Sequence, residues 1–235
     1  MNLNIGDRHP DVTVIAAGVT NVGTTSAEEF DREATLVYEA LRRCRAQGRT
    51  VVFFSTASAG MYGATDSPGT EEGAVFPSTA YGRHKLGLER VLATSGADWL
   101  ALRVSHVVGS GQRKYQLMPA LANQVRAGAV TLHRGAVRDL IDAEHMVSIL
   151  DRLLEKGVSG EVFNLASGFS YSVEEIVGEL ESSLGVVASK SVVESPTENA
   201  SVSVGKIREY VPEFEEFGFG PGYLSLLLDR YLSTW

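Results

Sequence analysis

Tyr81 and Lys85 stand four residues apart in the stretch STAYGRHKLGLE. On a helix that spacing is one turn, so a phenol and an ammonium can share a face. Positive charge beside a phenol favours the phenolate and lowers its pKa, which suits the group to exchange a proton near neutral pH. The same spacing also describes two unrelated residues on a solvated helix, and the residues upstream distinguish the readings. They form an apolar strand, VVFFST, a small-residue turn, ASAGMYG, and an acidic loop before the helix opens. A hydroxyl at the end of a buried strand, facing a phenol, is what carbonyl and carbinol chemistry needs. One group holds the substrate oxygen and the other exchanges its proton.

The elements that must position these groups are legible in order. Residues 11 to 17, DVTVIAA, predict a short buried strand closed by Gly18. After a polar loop, Ser26 and Glu29 have the spacing of a capping box. The helix behind it carries Ala27, Phe30, Ala34, Val37, Leu41 and Cys44 as one apolar stripe and ends at Gly48. The unit repeats: strand 50 to 56, helix 78 to 95, strand 98 to 104, helix 116 to 127. Nearly continuous apolar strands alternating with such helices predict a parallel sheet covered on both faces, a doubly wound α/β core. Beyond residue 129 the pattern loosens. A helix over 143 to 155, a strand EVFNLA, a second capping box at Ser172 and Glu175, an irregular polar excursion over 186 to 204 and a closing helix from Leu224 to Tyr231 are expected. The division follows: a core over 1–130, and a mixed region over 131–235 with a small C-terminal lobe and returning core elements.

Composition narrows the function classes. With 235 residues, 44% hydrophobic and 21% charged, the chain can bury a sizeable core. A net charge of -8 and scattered basic residues argue against a nucleic-acid surface. The single cysteine, Cys44, excludes an internal disulfide and reads as a small core residue on its helix. There is no export signal at the N-terminus and no run of 18 apolar residues, so a cytoplasmic protein without membrane spans is expected. No Cys/His cluster suggests a metal, and Glu144 and His145, adjacent on a helix, read as structural.

In open parallel sheets ligands sit beyond the carboxyl ends of the strands. Three such ends, Ala17-Gly18, Ser55 to Ser58 and Arg103 to His106, should line one crevice. The stretches VTVIAAG, VVFFSTASAGMYG, PSTAYGRHKLGLE, LRVSHVVGSGQR, GAVRDLID and GEVFNLASG together resemble the extended short-chain dehydrogenase/reductase family, the NAD-dependent epimerase/dehydratase group acting mostly on nucleotide sugars. They follow the family's order over nearly the whole chain. The resemblance implies a Rossmann-like core with Tyr81 as the acid/base, and Lys85 lowering its pKa and holding the nicotinamide ribose. Ser58 matches the catalytic hydroxyl, with Thr56 the competing candidate. It further implies NAD or NADP against Ala16, Ala17, Gly18, Tyr81, Lys85 and Val104. A nucleotide sugar would be held by His106, Arg113 and Arg138, and a homodimer would form through helices 27 to 47 and 78 to 95. For Arg138 a salt bridge to Asp139 is the alternative to a diphosphate contact.

The sequence also departs from that pattern. Family members begin with a strand and a glycine-rich turn, G-x-x-G-x-x-G, that holds the cofactor pyrophosphate. No such turn occurs here, the first strand resembles the family's fourth, and roughly three strand-helix units, on the order of 65 residues, have no counterpart. Residues 26 to 47 contain no Asn where the family's helix carries one. Three functions are compatible with this: a nucleotide-sugar reductase or epimerase with an incomplete cofactor site, a cofactor-independent isomerase, lyase or cyclase reusing the Tyr/Lys pair, or a non-catalytic partner subunit. Strand 11 to 17 becomes a sheet edge, open to a symmetry mate, to residues 1 to 10 or to a complementing chain. A start at an internal Met of a longer protein gives the same picture.

Overall fold

The computed structural model describes residues 4–57, 59–62, 67, 69–194 and 202–235. It runs α1 (Ile5–Arg8), β1 (Val12–Ile15), α2 (Ala27–Gln47), β2 (Thr50–Thr56), α3 (Ala59–Tyr62), α4 (Ala80–Thr94) and β3 (Trp99–Val104). Next come β4 (His106–Val108), α5 (Leu117–Arg126), β5 (Ala129–Arg134), β6 (Val137–Asp142), α6 (Ala143–Glu155) and β7 (Glu161–Leu165). The chain closes with β8 (Ser170–Ser172), α7 (Val173–Leu184), β9 (Ser189–Glu194), α8 (Gly205–Tyr210) and α9 (Tyr223–Tyr231).

A parallel sheet in the order β1-β2-β3-β7 forms the core. Successive side chains of a strand point to opposite faces, and here both faces are apolar. Val51 and Phe53 pack with Val37 and Leu41 of α2 and Leu88 and Leu92 of α4. Val52, Leu100, Leu102 and Phe163 pack on the other face with Ile149 and Leu153 of α6 and Ile207 of α8. The doubly wound α/β expectation holds. Cys44 is buried in the first of these layers, as its stripe position requires.

Helix starts follow the capping chemistry with one difference. Ser172 and Glu175 form the full reciprocal box. Ser26 accepts the Glu29 amide, but the Glu29 carboxylate takes the Thr24 hydroxyl at 2.8 Å, and Thr24 Oγ1 in turn accepts the Ser26 amide at 3.3 Å. The second half of that box is thus relayed through Thr24. Gly48 ends α2 at φ 64, a conformation that glycine adopts without strain.

The expected irregular stretch over 186 to 204 is corrected in part. Residues 189–194 form β9, paired in parallel with β5 from Ala129↔Ser189 to Arg134↔Glu194. The polar alternation of SKSVVE conceals a strand whose side chains are all exposed. Residues 195–201 lie outside the described ones. TLHRGAVRDLID folds as β5 and β6 around Gly135, and β6 pairs with β4 in parallel and with β8 in antiparallel. At the other end, residues 4–9 do not pair with the free side of β1. They dock on α6, where Arg8 bonds Asp151 and Glu155, and His9 Nε2 lies 2.9 Å from Asp151.

Candidate active site

The carboxyl ends of β1, β2 and β3 open on a crevice of about 620 Å³. Ala16, Ala17 and Gly18 follow β1, Ser55 and Thr56 end β2, and Val104 ends β3; all line it, with Tyr81 and Lys85 from α4 and His106 and Arg138 from β4 and β6. Sequence reasoning placed Arg103 on this wall too, which the structure corrects. Its side chain turns to the α4 layer and pairs with Glu89. Strand alternation explains this, since Val104 and Arg103 must point to opposite faces. Ser58 lies outside the described residues.

Tyr81 sits at the start of α4, whose N-cap Thr79 accepts the Gly82 amide. The ring is 7% exposed and its hydroxyl is hydrogen-bonded to the Thr56 side chain. Lys85, one turn on, lies 5.7 Å from the Tyr81 ring centre, on the shared face that the spacing predicts. Its Nζ donates to the Phe54 carbonyl at 3.1 Å and to Glu33 Oε1 at 2.6 Å. Here the expectation of a lowered phenol pKa is overturned. Burial pushes Tyr81 up to about 12, the Glu33 carboxylate adds to that, and Thr56 opposes it. The Lys85 ammonium is itself disfavoured by burial, with Glu33 acting against that shift.

Glu33 was missed by sequence reasoning. It occupies the helix from which the family's Asn is absent, and its signal was an acid inside an apolar stripe, three residues after Phe30 and four before Val37. Its other oxygen is 3.0 Å from His84 Nε2.

The far end of the crevice is polar. His106 is half-buried; burial, then the Arg138 guanidinium, push it down to about 4, while a ring N–H bonded to the Asp139 carbonyl works the other way. Arg138 Nη1 donates to the Val137 carbonyl at 2.7 Å. Both Asp139 oxygens accept backbone amides, from Ser167 at 2.9 Å and Gly168 at 2.8 Å. Gln116 and Leu117, at the N-terminus of α5, also line the crevice. The Gln116 side chain makes no capping bond and instead accepts the Arg113 amide at 2.6 Å, which leaves the helix start facing the cavity. Arg113 itself is exposed and bonded to Tyr115 at 2.8 Å; it is not part of the crevice wall, whereas Tyr115 is.

His106 gives a pH test. Because its folded pKa is depressed from 6.5 to about 4, the stability it contributes is present above pH 6.5 and is lost as pH falls towards 4. The expected loss is up to about 3 kcal/mol at about 1.4 kcal/mol per unit. Denaturant unfolding between pH 7 and 4 should show a slope that flattens in His106→Gln; an equal slope in both proteins contradicts it.

Residues 3–166, more than half of the chain, match the model of the NAD dependent epimerase/dehydratase family. The chain belongs to that family. It is similar to dTDP-4-dehydro-6-deoxyglucose reductase of Escherichia coli, 25% identical over 191 residues covering 75% of this chain and 60% of that protein. It is also similar to UDP-glucose 4-epimerase 4 of Oryza sativa subsp. japonica, 29% identical over 205 residues covering 73% of this chain and 55% of that protein. It thus spans less than two thirds of the length of the curated relatives it matches. In fold it is similar to UDP-glucuronic acid 4-epimerase from Bacillus cereus, solved with UDP-glucuronic acid and NAD, at a TM-score of 0.78 and 22% identity over 99% of this chain and 78% of that one. The resemblance read from the motifs is borne out at family level. For the family's nicotinamide cofactor, the crevice offers a small-residue floor, Ala16 to Gly18, beside Thr56, Tyr81 and Lys85, which fits the reactive end. The glycine-rich turn for the pyrophosphate has no counterpart in the sequence. Among the described residues no helix is long and apolar enough to cross a membrane, and no group of three His, Cys, Asp or Glu is placed to hold a metal ion.

Proposed function

We propose that this chain carries the proton-transfer site of a nucleotide-sugar reductase or epimerase. The observation that carries the reading is the buried Tyr81 hydroxyl bonded to Thr56 at the mouth of three parallel strands. Tyr81 exchanges the proton of a sugar carbonyl or carbinol, and Thr56 holds that oxygen, with Ser58 the alternative hydroxyl. Arg138, His106 and the open N-terminus of α5 take the diphosphate, because a guanidinium fork and free helix amides both suit phosphate oxygens; Arg113 contributes charge outside the wall. Ala16, Ala17, Gly18, Val104, Tyr81 and Lys85 would hold the reactive end of NAD or NADP, which when bound would supply or accept hydride. Residues 1–130 then form the partial Rossmann-like core and 131–235 a mixed region with a C-terminal substrate lobe and returning core elements, in the cytoplasm.

Among the described residues nothing pairs with the outer side of β1, and this supports an extension to partners. Further strands of the doubly wound half, from a longer polypeptide or a complementing chain, would continue the sheet there and bring the pyrophosphate site. A second copy would use α2 and α4, and α2 exposes Leu36 and Tyr38.

One observation favours the second reading, a cofactor-independent isomerase, lyase or cyclase: Lys85 is already bonded to Glu33 and Phe54. Calorimetric titration with NAD, NADH, NADP and NADPH separates the two. The first predicts heat from at least one of them at millimolar concentration, together with binding of UDP- or dTDP-sugars. Sugar-nucleotide binding with four silent nicotinamides sinks it and leaves the second.

A further inference from the structure

The most unusual group in the crevice is the Glu33 carboxylate. Its side chain is 2% exposed, yet it meets two basic groups, Lys85 Nζ at 2.6 Å and His84 Nε2 at 3.0 Å. It also presses on Gly18 so closely that a Cβ there would overlap its Oε1. A carboxylate is costly to bury unless paired, so this position is specified by its partners on α4 and by the missing side chain at 18. His84 is stacked on Phe30 at 4.6 Å, and Lys85 lies over the Phe53 ring at 4.9 Å, so both basic groups are held in place.

Charge balance follows from that geometry. An isolated ammonium one turn from Tyr81 favours the phenolate. Here one carboxylate stands against the same ammonium, and a pair at that distance presents almost no net charge to the phenol. The other ionisable groups lining the crevice are His106 from β4, Arg138 from β6 and Tyr115 from the loop before α5, with His84 of α4 behind on the second Glu33 oxygen, and of these only Arg138 has a fixed charge, at the far end.

We propose that Glu33 is a positioning residue that cancels the charge of Lys85 and keeps Tyr81 in its protonated form, so that the site gives a proton to a substrate oxygen rather than taking one. The phenolic O–H bond breaks as a new O–H bond forms on an oxygen that has gained negative charge, and the tyrosinate left behind recovers its proton from solvent. The inference rests on the proposed role of Tyr81 and deepens it: the resting site holds the proton needed when hydride from a reduced nicotinamide adds to a sugar carbonyl. The raised pKa of Tyr81 agrees with it.

The test reads Tyr81 directly and needs no turnover. With tyrosine labelled at 13Cζ, the Tyr81 resonance is assigned by its loss in Tyr81→Phe and titrated by NMR. In the unmodified protein Tyr81 should remain a phenol at pH 10, where a free phenol is about half ionised. Glu33→Gln should lower its midpoint by about one unit or more, and Glu33→Asp, which keeps the charge, should restore most of the shift. A midpoint below about 10 in the unmodified protein overturns the proposal without any variant, as does an unchanged midpoint in folded Glu33→Gln. If the nicotinamides fail to bind while Glu33→Gln moves Tyr81, the oxidoreductase reading falls and the role of Glu33 stands.

Discussion

Glu89→Ala should unfold with about 3–5 kcal/mol less stability than the unmodified chain, the cost of leaving a buried charge without its partner. Glu89 and Arg103 are 3% exposed each, and the pair is bidentate, Nε to Oε1 at 3.0 Å and Nη2 to Oε2 at 2.8 Å. Burial disfavours the Arg103 charge, and Glu89 together with Tyr62 more than restores it. The pair is the centre of a larger net. Ser55 donates to Glu89, Arg103 donates to Tyr62 at 3.1 Å, and Tyr62 donates to Asn164, whose amide reaches the Gly69 and Ser203 carbonyls at 2.8 and 2.9 Å. Strands β2, β3 and β7 are thereby tied to α3, α4 and the loop over 69 to 72. A Glu89→Leu/Arg103→Met double variant removes both charges, so it should be more stable than either single change. Urea unfolding of the four proteins decides this; single variants within about 1 kcal/mol of the unmodified chain contradict the picture.

Tyr81→Phe should lower turnover by about 10²- to 10⁴-fold, the usual contribution of a positioned acid or base. The change removes one oxygen from a side chain that is otherwise packed, so nucleotide-sugar affinity should move only a few-fold. Thr56→Val tests the partner hydroxyl in the same assay and should also lower kcat more than it raises the dissociation constant. Both need a nucleotide sugar shown to bind by calorimetry as substrate. Equal turnover by Tyr81→Phe would falsify the acid/base role, whatever the cofactor result.

The fold was legible because its strands and helices carry strong periodic signals. Val37, Leu41 and Cys44 on one helix and VVFFST on one strand leave few alternatives to a parallel sheet with two covers, and α2 and α7 fall where the capping residues and Gly48 put them. The β9 strand was not legible, because SKSVVE buries nothing and a strand seen only through backbone pairing has no apolar alternation to reveal it. At the site, Tyr81, Lys85 and Thr56 were found by spacing and context. Their electrostatics were not, since one turn of helix says where Lys85 is and nothing about what else approaches it. Glu33 comes from 52 residues upstream of Lys85 and Asn164 from 102 residues beyond Tyr62. Contacts of that range depend on packing, which local pattern cannot encode.

Gly18 and Glu33 have a consequence for how this sequence can drift. Any side chain at 18 takes the volume that the carboxylate occupies, and any residue shorter than Glu at 33 leaves Lys85 and His84 reaching across a gap. Neither position can change alone without the other becoming either crowded or slack. Among natural variants of this chain the two should therefore travel as a linked pair, glycine with a long acid and a larger residue with a shorter or neutral one, so that the history of residue 18 records the charge carried at residue 33.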